Sequence, residues 1–372
     1  MRVTLERDAL VKSLSHLHRV VERRNTIPIL GNILLRATKN QIELKATDLD
    51  IEITETLTCD VQEDGATTIP AHLFYDIVRK LQDGAHISLD LGADQGSLSL
   101  KAGRSRFQLQ ILPEADFPDL SAGEFPFKFT LPAESLKKLI NKTQFAISTE
   151  ETRYYLNGIY LHPFTNGKTE LLRAVATDGH RLALIEMPAP ENTKDMPGII
   201  IPRKTVSELQ RLLDDITGDV TIQVSSSKIR FTLGPVILTS KLIDGTFPDY
   251  ARVIPANNDK ELDVNCLLFS QAVDRVSTIS SERGRAVKLT INDGKVTFTV
   301  TNPDSGLATE EIEAKYDSGA LDIGFNSRYL LDIAERIDSD NVTFKLSDPG
   351  SPTLIQDNAE QNALYVLMPM RV

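Results

Sequence analysis

The sequence predicts an α+β protein made of three repeated domains, each with two helices and antiparallel sheets. Three observations carry that reading: a strand–helix motif recurring at near-fixed spacing, a second such motif interleaved with it, and alternating apolar runs after the second set of helices. The first motif is a short alternating strand followed by an amphipathic helix. It occurs as Val3-Thr4-Leu5 before a helix from about Asp8 to Glu22. It returns as Phe129-Thr130-Leu131 before a helix from Ala133 through Ala146, and as Leu262-Asp263-Val264 before a helix of about Leu267 to Thr278. Pro132 suits the first turn of the middle helix, where its missing N–H costs nothing.

In the second motif Thr68-Ile69-Pro70 leads into Ala71–Gln82, Ile200-Ile201-Pro202 into Arg203–Asp214, and Gly324-Phe325-Asn326 into Ser327–Ile337. The strands that follow start at His86, Val220 and Val342, and their alternation marks sheets with one buried face. Leu5, Leu131 and Val264 stand 126 and 133 residues apart, and Pro70, Pro202 and Asn326 stand 132 and 124 apart. Ala46-Thr47-Asp48, Ala176-Thr177-Asp178 and Val300-Thr301-Asn302 each end a strand in mid-unit. Phe117-Pro118-Asp119 and Phe247-Pro248-Asp249 close the first two units and read as linkers. The expected domains are therefore residues 1–122, 123–254 and 255–372. Strand runs returning over helices imply helices on one face of each sheet, so six equivalent helices should form one continuous lining.

The chain has 372 residues, 41% of them hydrophobic and 25% charged, ordinary values for a globular protein of two or three domains. No apolar run approaches the roughly 18 residues that span a bilayer. The N-terminus alternates apolar and charged residues, unlike a targeting peptide, so a cytoplasmic protein with no membrane partner is expected. Cys59 and Cys266 offer neither a disulfide framework nor zinc spacing, and read as small buried side chains.

The net charge of −11 argues at first against a nucleic-acid partner. Its distribution argues otherwise. The six helices with their immediate ends hold 18 Lys and Arg against 13 Asp and Glu, which leaves −16 on the rest of the chain. Lys and Arg are good helix formers, which is the plain explanation, but Glu is nearly as good and is not similarly enriched. No recognition helix, zinc finger or aromatic-interleaved basic patch occurs, which argues against sequence-specific reading of DNA and leaves a loose backbone contact open.

Thr177-Asp178-Gly179-His180-Arg181-Leu182-Ala183 is the most enzyme-like stretch, with Asp178 and His180 as an imaginable acid–base pair. No Gly-x-Ser-x-Gly elbow, P-loop or Gly-x-Gly-x-x-Gly accompanies it, and His16 and His18 lie on different helix faces. A strand end followed by a turn is the better reading. No catalytic residue, metal or cofactor is expected. Arg104 and Arg106 with Phe107 in the first unit, and Glu310 and Glu311 with Ile279 in the third, are opposite charge clusters with apolar neighbours. They are either solvated strand faces or the two halves of a head-to-tail contact between chains. The end of the chain is apolar: Tyr365 and Leu367 fit a last core strand, while Met368, Pro369 and Met370 suit either that strand or an adaptable binding surface.

Leu30-Gly31-Asn32, Gly103-Arg104-Ser105-Arg106-Phe107, Arg153-Tyr154-Tyr155-Leu156-Asn157-Gly158, Ala176–Ala183, Phe247-Pro248-Asp249-Tyr250 and Met368-Pro369-Met370-Arg371 run in order along the chain. Together they resemble the bacterial sliding clamps, the beta subunits of DNA polymerase III, over essentially the whole length. The resemblance implies a DNA-clamp fold and a head-to-tail homodimer forming a six-domain ring, with twelve helices around sequence-nonspecific double-stranded DNA. It implies no catalysis. The chain would tether the polymerase III alpha subunit, be opened and closed by the clamp-loader complex through its delta subunit, and serve other polymerases and repair proteins that carry clamp-binding peptides.

By motif, the peptide pocket between the second and third domains falls on Arg153, Tyr155, Leu156, Thr177, Gly179 and His180. It continues through Arg181, Leu182, Pro248, Arg252 and Val253 to Val366, Met368, Pro369 and Met370. DNA contacts fall on Arg24, Tyr154 and Tyr155, and on His72 and Glu150 where the family carries Arg and Gln. With the dimer that the resemblance implies, the charge clusters and their apolar neighbours make Arg104, Arg106, Phe107, Ile279, Glu310 and Glu311 the expected dimer contact, with Gly306-Leu307 where the family leads one to expect carboxylates.

Overall fold

The computed structural model describes residues 1–92, 96–120, 123–281 and 285–372. The expected end of the first domain at residue 122, and Glu282 and Arg283 beside the fifth helix, lie outside the described residues. Six α-helices are described: α1 (Arg7–Leu17), α2 (Ala71–Lys80), α3 (Ala133–Thr143), α4 (Arg203–Asp215), α5 (Cys266–Ser277) and α6 (Ser327–Ala334). Each directly follows a strand, as the repeat requires.

The chain forms two compact units, Met1–Glu134 with Ser207–Leu242, and Ser135–Val206 with Ile243–Val372. The first unit holds two antiparallel sheets. One is five-stranded, running Asp60–Glu63, Arg2–Glu6, His86–Leu91, Ser97–Ala102, Ser105–Gln110 from edge to edge. The other has eight strands, with Val236–Lys241 and Ile51–Thr58 paired at its middle. The second unit also has an eight-stranded sheet, in which Arg181–Pro188 pairs with Ala363–Leu367. Its four-stranded sheet runs Gly306–Glu313, Lys295–Asn302, Ala286–Asn292, Leu321–Asn326. Strict alternation of buried with half-buried or exposed side chains along Arg2–Glu6 and Ala286–Asn292 is the sheet's period of two seen directly. In α2 the buried Ala71, Phe74 and Val78 recur at helical spacing. Within their units α1 packs on α2 and α5 on α6.

The helix starts depend on what precedes them. Pro70, Pro132 and Pro202 are the last residues of strands rather than first helical residues, so Pro132 stands one position before the expected place. It still works as argued, since a proline at the junction has no N–H to leave unsatisfied. In the third repeat asparagines take over: Asn265 Oδ1 accepts from Leu268 N–H, and Asn326 Oδ1 from Arg328 and Tyr329 N–H. Helix ends differ more from expectation. α1 stops at Leu17 rather than Glu22, where the Nδ1 of His18 hydrogen-bonds the Leu14 carbonyl at 2.7 Å. α3 passes into a 3-10 turn at Gln144–Ala146, and α6 ends at Ala334 instead of Ile337.

The Ala-Thr-Asp echo is a hairpin tip. Thr47 Oγ1 donates to the Ile51 carbonyl at 2.8 Å, and Asp48 Oδ1 accepts from the Asp50 and Ile51 N–H groups. Thr177 and Asp178 repeat this with Arg181 and His180. The central residue has positive φ in both, +78° at Leu49 and +89° at Gly179. A later strand end closes each tip: Lys241 N–H donates to Asp50 O, and Met368 N–H to His180 O, both at 2.9 Å. The segments read as linkers are packed rather than loose. Leu120 N–H donates to the buried Glu52 carboxylate at 2.9 Å, and Phe247 is buried, stacked on Tyr160 with ring centroids 4.7 Å apart.

Cys266 is buried and Cys59 half-buried, and burial pushes both thiols up to about 11. Among the described residues no helix is long and apolar enough to cross a membrane.

Candidate functional site

In the second unit the sheet core does not close completely. Leu156, Val175, Leu182, Leu184, Ile200, Phe247, Tyr250 and Val366 form one apolar cluster. Above part of it lies an open cavity of about 160 Å³. Its walls come from four segments: the 3-10 turn Glu151–Leu156, the Thr177–Leu182 hairpin tip, the turn Tyr250–Val253 with Pro248 and Asp249 before it, and the end of the last strand. Leu156, Leu182 and Val366 are nearly inaccessible, whereas Val253 and Met368 are 47% and 39% exposed. The floor is thus rigid core and the rim is available. Apolar side chains left partly exposed around a concave surface favour an apolar ligand.

Of the residues expected in a pocket, Leu156, Thr177, Gly179, Arg181 and Leu182 line this cavity, as do Pro248, Val253, Val366 and Met368. Tyr155 instead packs behind the wall against the cluster. His180 is exposed beside Tyr329, and its ring makes no bond to Asp178. Asp178 is committed elsewhere: one oxygen accepts the His180 and Arg181 N–H groups and the other the Arg181 Nε, so no acid–base pair exists.

Arg181 presents only its stem to the cavity. Its buried guanidinium bonds Asp178, Asp332 and the Phe145 carbonyl and lies 4.3 Å from the Tyr329 ring centre. Arg153 and Arg252 stand at the rim, each paired with an acid three residues earlier: Arg153 with Glu150 at 3.0 Å and Arg252 with Asp249 at 2.8 Å. Met370 is held away, its N–H donating to Gly324 O at 2.8 Å, and Pro369 only connects it to Met368. A Cβ on Gly324 would lie 2.7 Å from that residue's carbonyl oxygen, so glycine is what lets the tail approach.

Two lining residues, Asp249 and Tyr250, were not expected, although both belong to the quoted Phe-Pro-Asp-Tyr motif. The hydroxyl of Tyr250 lies 2.9 Å from His162 Nε2 and accepts from Arg173 Nη1 at 3.3 Å. Burial, with the nearby Arg173 charge, holds His162 below its ordinary value and so favours the neutral ring, although the hydrogen bond to the Pro163 carbonyl acts the other way.

Of the residues expected at DNA, Arg24 is exposed and Tyr154 is 53% exposed, with the half-buried Tyr155 edge-on to it at 5.7 Å. His72 differs from expectation. Its Nε2 bonds the Val21 carbonyl at 2.8 Å and its ring meets His18 edge-on, so it is packed between segments instead of displayed. Glu150 is the rim partner of Arg153 already described.

Arg104 precedes, and Arg106 and Phe107 lie on, the edge strand Ser105–Gln110 of the first unit; both arginines are exposed. Glu310 and Glu311 lie on the edge strand Gly306–Glu313 of the second, paired within the chain to Arg275 and Lys295, and Ile279 is half-buried just beyond α5. At position 307 the exposed side chain is Leu307, 68% accessible.

Family models of the DNA polymerase III beta subunit match the chain three times: the N-terminal domain at residues 1–121, the central domain at 130–249 and the C-terminal domain at 251–371. The beta sliding clamp of Caulobacter vibrioides is 52% identical over 372 residues, and that of Escherichia coli 41% over 373, each covering all of both chains. Among solved structures, the sliding clamp of Bartonella birtlesii bound to griselimycin superposes with a TM-score of 0.98 at 57% identity, covering all of both chains. The chain therefore belongs to the DNA polymerase III beta subunit family, the beta sliding clamps.

Proposed function

We propose that this chain is a DNA sliding clamp that encircles duplex DNA and tethers the replicative polymerase and other DNA-processing proteins, with no catalysis of its own. The observation that carries the reading is the end-to-end match of three clamp domains on a chain with an apolar socket among its described residues. Function then needs topology and a handle rather than reactive groups. A closed ring leaves DNA only by opening, so weak phosphate contacts suffice and permit sliding. A tethered polymerase remains at high effective concentration near the primer end.

Its finer parts are domains 1–122, 123–254 and 255–372, a head-to-tail homodimer forming a six-domain ring, and a cytoplasmic setting. The two exposed edge strands, one led by Arg104 and Arg106 and the other carrying Glu310 and Glu311, support that dimer, because edge strands of opposite charge favour pairing with each other. Ile279 and Phe107 would add apolar contact. The socket would take short apolar peptides of the polymerase III alpha subunit, the clamp-loader delta subunit, and other polymerases and repair proteins. Arg24, Tyr154 and Tyr155 are the DNA contacts this reading keeps, while the pairing of Glu150 and the packing of His72 weigh against those two.

A repeat scaffold that binds proteins but not DNA is the rival. Loading the protein onto nicked circular DNA with a clamp loader and then linearising the circle separates them. A clamp is lost on linearisation; retention regardless of DNA ends, or no loading, rejects the ring.

A further inference from the structure

Both exposed arginines at the rim of the socket are occupied before any ligand arrives. Arg153 sits at a break in its 3-10 turn, with φ −110° and ψ 49°, which turns its side chain across the hairpin tip. Its Nη1 lies 2.6 Å from where a Cβ on Gly179 would be, and Gly179 lines the cavity. There Glu150 takes its Nε at 3.0 Å. On the turn that carries Val253, Arg252 Nε is taken by Asp249, itself a wall residue, at 2.8 Å. The third guanidinium of the wall, Arg181, is buried between Asp178 and Asp332. Three cations thus stand against four carboxylates around the socket, among the described residues.

From this geometry we infer that the socket selects apolar peptides with neutral or basic flanks over those with acidic flanks, and that Glu150 is a positioning residue that sets this preference. The inference rests on the reading of the cavity as a peptide socket. An acidic flank gains little from Arg153 or Arg252, because the charge of each is already offset by a carboxylate three residues earlier in the same turn, which also repels it. A basic flank meets Glu150 and Asp249 as acceptors. Each exposed pair is individually weak, so the effect is a graded selectivity and not a lock.

The test uses three labelled decapeptides that share a central Leu-Leu anchor and differ only in flanking Glu, Gln or Lys. Binding to the full-length protein is read by fluorescence anisotropy at low and high salt. The wild type should rank Lys and Gln above Glu. Glu150→Gln should tighten the Glu-flanked peptide by about two- to fivefold, the scale of an exposed ion pair, and leave the Gln-flanked peptide unchanged. Glu150→Asp should restore the wild-type ranking. A Glu150→Gln change equal for all three peptides, or a wild type that prefers the Glu flank, overturns the inference while the socket stands. Absence of binding by every peptide overturns the socket reading and this inference with it.

Discussion

His16 in α1 offers a pH-dependent test of how the first unit is held together. Its Nδ1 lies 2.9 Å from Glu55 Oε2 and its Nε2 3.2 Å from Asp215 Oδ2, and Ser13 Oγ donates to the other Glu55 oxygen at 2.6 Å. Ionised carboxylates only accept, so both ring nitrogens must carry protons to satisfy both contacts, and a neutral imidazole has one N–H. Burial opposes the charged ring, but the hydrogen bonds and charges of Glu55 and then Asp215 together outweigh it and hold His16 above its ordinary value of 6.5. Around it Arg19, Glu208, Arg211 and Asp214 complete a polar cavity.

His16→Ala would leave Glu55, 4% exposed, with Ser13 as its remaining side-chain partner. Stranding one partner of a buried ion pair costs about 3 kcal/mol at the low end of such measurements. Asp215, with its side chain 49% exposed, adds about 0.5 kcal/mol at most. Because the folded value is raised, the contribution is complete below pH 6.5 and is lost as pH rises through the folded value. Hydrogen exchange read by mass spectrometry over residues 10–17 and 209–215 should show wild type and His16→Ala far apart at pH 6, with the gap narrowing toward pH 9. A gap of constant size across that range would refute the charged-clasp reasoning.

Other perturbations follow from single contacts. Gly158→Ala places a Cβ 2.2 Å from the Ile201 carbonyl oxygen, a backbone atom that cannot swing away, so a loss of about 1–3 kcal/mol should lower the thermal midpoint. Arg181→Met strands Asp332 and one oxygen of Asp178, whose other oxygen keeps the His180 and Arg181 N–H groups, which should cost about 3 kcal/mol in urea unfolding, and adding Asp332→Asn should recover a sizeable part. Met368→Ala keeps the backbone bond to His180, so the unfolding curve should not move while an apolar peptide binds about tenfold more weakly by anisotropy.

The architecture was legible because it is periodic. A strand ending in Pro or Asn before four of the helices gave their starts, and strand alternation gave the sheets. Helix ends were less legible, since α1 stops where the His18 ring takes up a carbonyl, a local event that hydrophobic spacing does not record. The socket was readable as a set of segments but not as a surface. That Arg181 has its charge consumed depends on Asp332, 151 residues away, and that Met370 faces away depends on a glycine in another strand. Tyr250 was overlooked because its role comes from a hydroxyl anchored by His162 and Arg173, a partnership that crosses three segments.

The hairpin tips have a consequence for how such a chain diversifies. Asp50 O with Lys241 N–H, and His180 O with Met368 N–H, are the same joint inherited twice. In the first, Leu49 occupies the positive-φ position, and Glu52, with Lys45 and the Leu120 amide, fills the interior with polar bonds. In the second the corresponding positions are Gly179 and Leu182, and they line an apolar cavity. The same joint thus carries a polar, hydrogen-bonded interior in one copy and an apolar, accessible one in the other.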